Sequence, residues 1–189
     1  MNAGNSKTKR WLLQTERFSV ERVCRELPNG QRRTREVIRH PGAVVILPMV
    51  DDDHVCLIEN YRVAVGRSLF ELPAGTLEAG EDPLEAAVRE LAEETGYRGG
   101  TWSPMHSFLV SPGILDERMY LFRAIGLEPG PPAREPGEEI QNVVVPWNEA
   151  MAMVQRGEIE DAKTLIGLLL ADRDRSAENA GPLRSQRPE

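Results

Sequence analysis

The chain has only two cysteines and three histidines, no long apolar run and no excess of positive charge, and each shortage closes off a class of function. Cys24 and Cys56 stand in apolar or alternating runs without the paired spacing of zinc or redox sites, so both read as reduced core thiols. None of His40, His54 and His106 has a partner at metal or triad spacing, which leaves them structural roles. No apolar stretch approaches the roughly 18 residues of a membrane span, and the charged N-terminus lacks the apolar core of a signal peptide. A cytoplasmic protein without a membrane partner is expected. The 23 Lys and Arg against 30 Asp and Glu, a formal charge of −7, argue against a nucleic-acid partner. An acidic protein that binds a small phosphorylated molecule needs clustered arginines or bound cations to offset like-charge repulsion.

A chain of 189 residues suits one packed domain. Met1 to Lys9 are polar, and the stretch from about Asp172 to Glu189 lacks apolar periodicity, so both ends are expected to fray. Leu12 to Leu27 and Arg32 to Ile38 read as extended segments around Pro28-Asn29-Gly30, a hairpin turn signal. Ala43 to Val50, Val55 to Glu59 and Ser68 to Leu72 are short β-rich runs expected to join one mixed sheet. The clearest helix spans Pro83 to Thr95, with Asp82 as its cap, Pro83 in its first turn, Glu85 completing a capping box and Gly96 closing it. Strands are expected at Met105 to Val110, Met119 to Ile125 and Ile140 to Val145, and helices at Trp147 to Arg156 and Ile159 to Ala171. The loop from Glu128 to Glu139 is long enough for a functional loop and reads equally well as a solvated connector.

On the Pro83 helix, Leu84, Ala87, Val88, Leu91 and Thr95 share one face, which is expected to pack on the sheet. Glu90 and Glu94, four residues apart, then project side by side, with Glu93 adjacent. Taken alone this is a solvated acidic face or a cation site. Oxygen ligands without His or Cys favour a hard ion, Mg²⁺ or Mn²⁺, which also accepts phosphate oxygens. Upstream, Gly75-Thr76-Leu77-Glu78-Ala79-Gly80-Glu81 supplies a flexible loop leading into the helix.

Loop and helix together resemble the Nudix hydrolase family. Its signature G-x5-E-x7-R-E-U-x-E-E-x-G-U, with U a bulky apolar residue, is matched at Gly75, Glu81, Arg89, Glu90, Leu91, Glu93, Glu94, Gly96 and Tyr97. The resemblance implies an α+β Nudix fold, a mixed β-sheet sandwiched between helices, here with an N-terminal antiparallel β-hairpin extension. It implies a Mg²⁺-dependent hydrolase, with Mn²⁺ as a substitute. Glu90, Glu94 and Glu93 would be metal ligands together with the Ala74 carbonyl, while Gly75, Glu81 and Arg89 would support them. Residues 10–40 would be a dimerising β-segment, 41–171 the Nudix domain, 1–9 a disordered N-terminus and 172–189 a flexible tail.

Outside the signature, His40-Pro41-Gly42-Ala43-Val44, Glu59-Asn60-Tyr61-Arg62, Glu71-Leu72-Pro73-Ala74-Gly75, Ser111-Pro112-Gly113 and Asp161-Ala162-Lys163-Thr164 resemble the ADP-ribose pyrophosphatase branch. That resemblance implies hydrolysis of ADP-ribose to AMP and ribose 5-phosphate, with Arg62 on the diphosphate and Glu117 near the ribose. Arg35 would reach the nucleotide from a partner subunit, in a homodimer that exchanges N-terminal β-segments; read alone, Arg35 is one exposed charge in a basic run. A general base or further ligand is expected at Glu138 on the long loop, with Glu135 and Glu139 as alternatives. The branch includes GDP-mannose hydrolases, so GDP-mannose or another nucleoside diphosphate sugar is the competing substrate. A Nudix-fold sensor that binds without cleavage is the rival class, and retention of Glu90, Glu93 and Glu94 counts against it.

Overall fold

The computed structural model describes residues 10–134, 137 and 139–180. Strands β1 (Arg10–Gln14), β2 (Ser19–Glu26), β3 (Arg32–Arg39), β4 (Ala43–Pro48), β5 (His54–Arg62), β6 (Arg67–Glu71) and β7 (Ala74–Thr76) lead into helix α1 (Pro83–Thr95). Then follow β8 (Arg98–Leu109), β9 (Arg118–Glu128), β10 (Ile140–Pro146), α2 (Trp147–Gln155) and α3 (Ala162–Ala180). The strands form three sheets, ordered β1-β2-β3, β10-β5-β6 and β7-β4-β9-β8. β4 runs parallel to β9 and antiparallel to β7, so the last sheet is mixed.

β4 is the centre of the molecule, and its unbroken apolar run follows from burial on both faces. Val44 and Ile46 face α1, where they meet Ala86, Ala87 and Leu91. Ala43, Val45 and Leu47 belong to the opposite core, built with Ala150 and Met153 of α2 and Leu168 and Ala171 of α3. One helix and two helices thus enclose the sheet, in the α+β arrangement expected. Truncating a side chain such as fully buried Leu91 to alanine costs about 2–5 kcal/mol in sites of this kind.

Several expectations need correction. β4, β5 and β6 do not share a sheet. Between β4 and β5 the Asp51 carboxylate accepts the N–H groups of Asp53 and His54, both at 2.8 Å, and the pairing there is one isolated bridge, Met49 to Val55, just beyond the end of β4. β5 pairs instead with β6 and β10. The extended segment expected over Leu12 to Leu27 breaks at residues 15–18, where the Thr15 hydroxyl donates to the Phe18 carbonyl and accepts its N–H. The N-terminal unit is therefore a three-stranded meander; its β2-β3 hairpin does turn at Gly30, with φ 77°.

The face of α1 also differs. Ala86, Ala87, Leu91, Glu94 and Thr95 are buried, while Leu84 and Val88 are exposed. Asp82 caps the helix by accepting from Leu84 N–H and Glu85 N–H, and Gly96 ends it at φ 83° with its N–H on the Ala92 carbonyl. β8 begins at Arg98, well before Met105, and absorbs Pro104 through an irregularity in its pairing with β9. α3 starts at Ala162 and runs through residues expected to lie in a tail. Polar contacts hold this extension: Asp172 accepts from Trp147 Nε1 at 3.1 Å, and Arg175 donates to the Asp52 carbonyl and lies 5.1 Å from the Trp147 ring centroid. Among the described residues no helix is long and apolar enough to cross a membrane.

Cys24 is exposed on β2, not a core thiol, whereas Cys56 is fully buried on β5. Burial pushes the Cys56 thiol up to about 12. A thiol reagent at about pH 8 is therefore expected to titrate one cysteine rapidly in the native protein and the second only after denaturation. Two rapid equivalents would contradict the packing around β5.

Candidate active site

β7 is pinned before the site begins. It pairs with β4 from Ala43↔Thr76 to Val45↔Ala74, and the Pro73 carbonyl accepts Ile46 N–H at 2.9 Å. α1 lies against it so closely that a Cβ on Gly75 would stand 1.8 Å from Cδ of Glu90 and 2.0 and 2.2 Å from its oxygens. Only glycine leaves that carboxylate its place. One turn along, Glu94 is 5% exposed and accepts Ala74 N–H at 3.0 Å. Two carboxylates four residues apart are thus drawn to one short strand, as helical periodicity allows.

Arg89 ties the loop to the helix. Its Nε and Nη2 meet both oxygens of Glu81 at 2.9 and 3.0 Å, and its Nη1 reaches Glu90 at 2.8 Å and Glu93 at 3.0 Å. Glu81 also accepts Glu78 N–H at 2.9 Å. The hydrogen bonds from Arg89, with that from Glu78, hold the Glu81 carboxyl below its ordinary value despite desolvation, and Glu81 and Glu90 in turn hold the Arg89 guanidinium above its own.

At its far end α1 has no basic residue in the last turn, and the carbonyls there are capped from outside. Ala133 N–H donates to Glu93 O, Arg134 Nε to Glu94 O at 2.8 Å, and Asn142 Nδ2 to Thr95 O at 2.7 Å. The start of the proline-rich loop is therefore docked on the acidic helix and is no plain solvated connector.

Two clefts adjoin at β7. An acidic cleft of about 490 Å³ is lined by Glu90, Glu93 and Glu94. A more apolar one of about 410 Å³ is lined by Phe108, Leu109 and Met119 among others. Arg62, Ala74, Gly75 and Thr76 border both. Arg62 donates from Nε and Nη2 to the two oxygens of Glu71 at 2.7 and 2.6 Å. Glu71 is 1% exposed and also receives Lys163 Nζ, which lies 2.9 Å from Asp161. Burial alone would raise the Glu71 carboxyl, but Arg62 and Lys163 outweigh it and hold it below its ordinary value.

Other expected residues fall as follows. Glu117 borders the apolar cleft, 3.5 Å from His40 Nδ1, and His40 borders the acidic one. Arg35 is exposed on β3, lines neither cleft within one chain, and donates to the carbonyl of Thr34. Glu138 and Glu135 lie outside the described residues; Glu139 is exposed, and its carbonyl accepts Tyr61 N–H. Sequence reasoning missed Arg134, the Glu71–Lys163 contact, and Arg17 and Phe18 of the β1–β2 turn, which border the acidic cleft. The polar run Gln14-Thr15-Glu16-Arg17 between Leu13 and Phe18 is the available signal for that turn.

Among the described residues no three His, Cys, Asp or Glu side chains converge as a ready three-sided metal cage. The donors around β7 are nonetheless all hard oxygens: the carboxylates of Glu90 and Glu94, drawn to the Ala74–Gly75 backbone, with Glu93 beside them. Such a set fits a hard divalent ion that keeps waters and shares phosphate oxygens, not zinc.

The chain belongs to the NUDIX domain family, which it matches over residues 39–166. It is 39% identical over 157 residues to an ADP-ribose pyrophosphatase of Mycobacterium tuberculosis (strain ATCC 25618 / H37Rv), covering 80% of this chain and 75% of that protein. With an ADP-ribose pyrophosphatase of Bacillus subtilis (strain 168) it shares 38% identity over 145 residues, 76% and 78% of the two chains. It is also 37% identical over 164 residues to a methanol dehydrogenase activator of Bacillus methanolicus, covering 82% and 89%. A solved structure described as an ADP compounds hydrolase superposes with a TM-score of 0.79 at 26% identity, over 91% of this chain and 94% of that one.

Gly75→Ala tests the close approach. The obstructed atoms are the end of a flexible side chain, so stability is expected to stay within about 1 kcal/mol of wild type. Glu90 is displaced from β7, however, and hydrolytic turnover should fall roughly 10²-fold. Unchanged turnover in Gly75→Ala would show that Glu90 does not act from this position.

Proposed function

We propose that this protein hydrolyses the diphosphate bond of ADP-ribose, giving AMP and ribose 5-phosphate, with Mg²⁺ as its metal and Mn²⁺ as a substitute. The observation that carries the reading is the acidic helix set against β7, with Arg62 on the rim where the two clefts meet. The ADP-ribose pyrophosphatase relatives at 38% and 39% identity support the substrate.

In this reading Glu90, Glu94 and the Ala74 carbonyl hold the metal, with Glu93 joining them. The metal supplies charge neutralisation on the diphosphate and a lowered pKa for the attacking water. Gly75 leaves room for Glu90, and Arg89 with Glu81 keeps the carboxylates in place. Arg62 contacts the diphosphate, and Glu117 lies by the apolar cleft that takes the terminal ribose. A bond forms from the water oxygen to one phosphorus, the bridging P–O bond breaks, and the water's proton passes to a base, assigned to Glu138. Arg35 acts from a second copy of the chain. The exposed β1 strand, with Trp11 37%, Leu12 42% and Leu13 50% exposed, supports a homodimer that exchanges N-terminal β-segments.

Product analysis with ADP-ribose, GDP-mannose and NADH, each with Mg²⁺ and with a chelator, tests the assignment. Metal-dependent AMP and ribose 5-phosphate from ADP-ribose are expected. Preference for GDP-mannose would keep the chemistry and change the substrate, and tight binding without products would make the protein a sensor. Glu94→Gln keeps the shape of the side chain and removes its charge, so turnover is expected to vanish in a folded protein. Light scattering is expected to give a dimer mass at working concentration, and a fully active monomer would refute the exchanged arrangement.

A further inference from the structure

Of the four residues named as bordering both clefts, Arg62 is the charged one, and its side chain is 42% exposed. An arginine at that exposure ordinarily samples many rotamers, and a mobile guanidinium recognises a diphosphate poorly because ordering it opposes binding. Here the fork formed by Nε and Nη2 is closed on both oxygens of a carboxylate that is itself 1% exposed. The bidentate geometry fixes the plane of the guanidinium as well as its distance. Among the described residues no further side-chain hydrogen bond engages Nη1, and Arg62 lines both clefts.

Glu71 could not hold that position with Arg62 alone, because a buried carboxylate needs its charge and lone pairs satisfied. Lys163, 8% exposed, supplies the second cation. Asp161 in turn pairs with Lys163 and caps α3, accepting Thr164 N–H at 3.0 Å and the Thr164 hydroxyl at 2.6 Å. The Thr164 hydroxyl then accepts Leu72 N–H at 2.7 Å, two residues before β7. The Asp161-Ala162-Lys163-Thr164 segment therefore registers the N-terminus of α3 against both Arg62 and the strand that carries the site. An apolar replacement would serve stability as well as a buried ion pair does, so folding alone gives no reason for four charges here.

We infer that Glu71 and Lys163 are a positioning pair for Arg62, orienting its guanidinium toward the diphosphate of a substrate that bridges the acidic and apolar clefts. The inference rests on the proposed diphosphate hydrolysis and names the residues that set its substrate affinity. Neither Glu71 nor Lys163 touches the substrate; both act through Arg62.

The test is a double-mutant cycle on the full chain, with Glu71→Gln, Arg62→Ala and the pair, followed by KM and kcat for ADP-ribose. Calorimetric ADP-ribose binding in chelator gives a readout independent of turnover. Glu71→Gln is expected to raise KM and weaken binding by about tenfold while kcat moves by less than about twofold. In the Arg62→Ala background the same change should add nothing, because the group through which Glu71 acts is gone. Thermal unfolding checks that each variant folds; should Glu71→Gln not fold, Lys163→Met in the same cycle asks the same question. An equal effect of Glu71→Gln with and without Arg62 would make the cluster merely structural and overturn the inference. If wild type neither cleaves nor binds ADP-ribose, the functional reading falls and the inference with it. Active wild type with an additive cycle removes the inference alone.

Discussion

One guanidinium governs the arrangement around α1. Glu90, Glu93 and Glu94 crowd two turns of helix, and Glu81 reaches them from the loop, a gathering of like charges that would drive the unit apart. Arg89 is bonded to Glu81, Glu90 and Glu93 at once, so the cation that relieves the repulsion also fixes the loop relative to the helix. Through Glu81 the constraint extends to the Glu78 N–H, and through Glu90 to Gly75, where a Cβ would displace the Glu90 carboxylate. Glu94 completes the attachment by accepting from Ala74. Loop, strand and helix behave as one rigid part because each is held to the next by a charged hydrogen bond or by contact.

The dipole of α1 opposes this concentration of charge. Three glutamates stand in its C-terminal half, where the field of the peptide groups is unfavourable to anions. The helix supplies no basic residue of its own there. Arg134 takes that place from outside, and with Ala133 N–H and Asn142 it satisfies three of the last carbonyls. The segment after β9 therefore has an electrostatic task as well as a connecting one.

What could be read from the sequence follows the range of the forces involved. α1 was legible to its end residues because its cap, first-turn proline and closing glycine are local signals, and the Nudix spacing lies within one loop and helix. β4 was legible because a strand buried on both faces must be apolar throughout. The face of α1 was misjudged because apolar residues at Leu84 and Val88 outweighed Ala86, whose small side chain is what allows close approach to β4. The split between sheets follows from long-range pairing, β4 with β7 and β9 and β5 with β6 and β10, which local hydropathy does not register. The C-terminal half of α3 is held by Trp147, Asp172 and Arg175, contacts between polar groups that carry no periodicity. Glu71 lies some ninety residues before Asp161 and Lys163, and only the tertiary fold, which sets the start of α3 beside the end of β6, brings them together.

The docking of Arg134 and Asn142 on the end of α1 bears on how such a protein can diversify. Both anchors bind the same helix terminus, so the chain between them leaves and returns at nearly one point. Adding residues to a loop closed in that way costs little, since each doubling of loop length adds only about 0.6 kcal/mol of closure entropy. The segment that carries Glu138 can thus lengthen or shorten over generations while the helix and its carboxylates stay in register. Selection acting on that segment can explore new specificities without disturbing the machinery beside it.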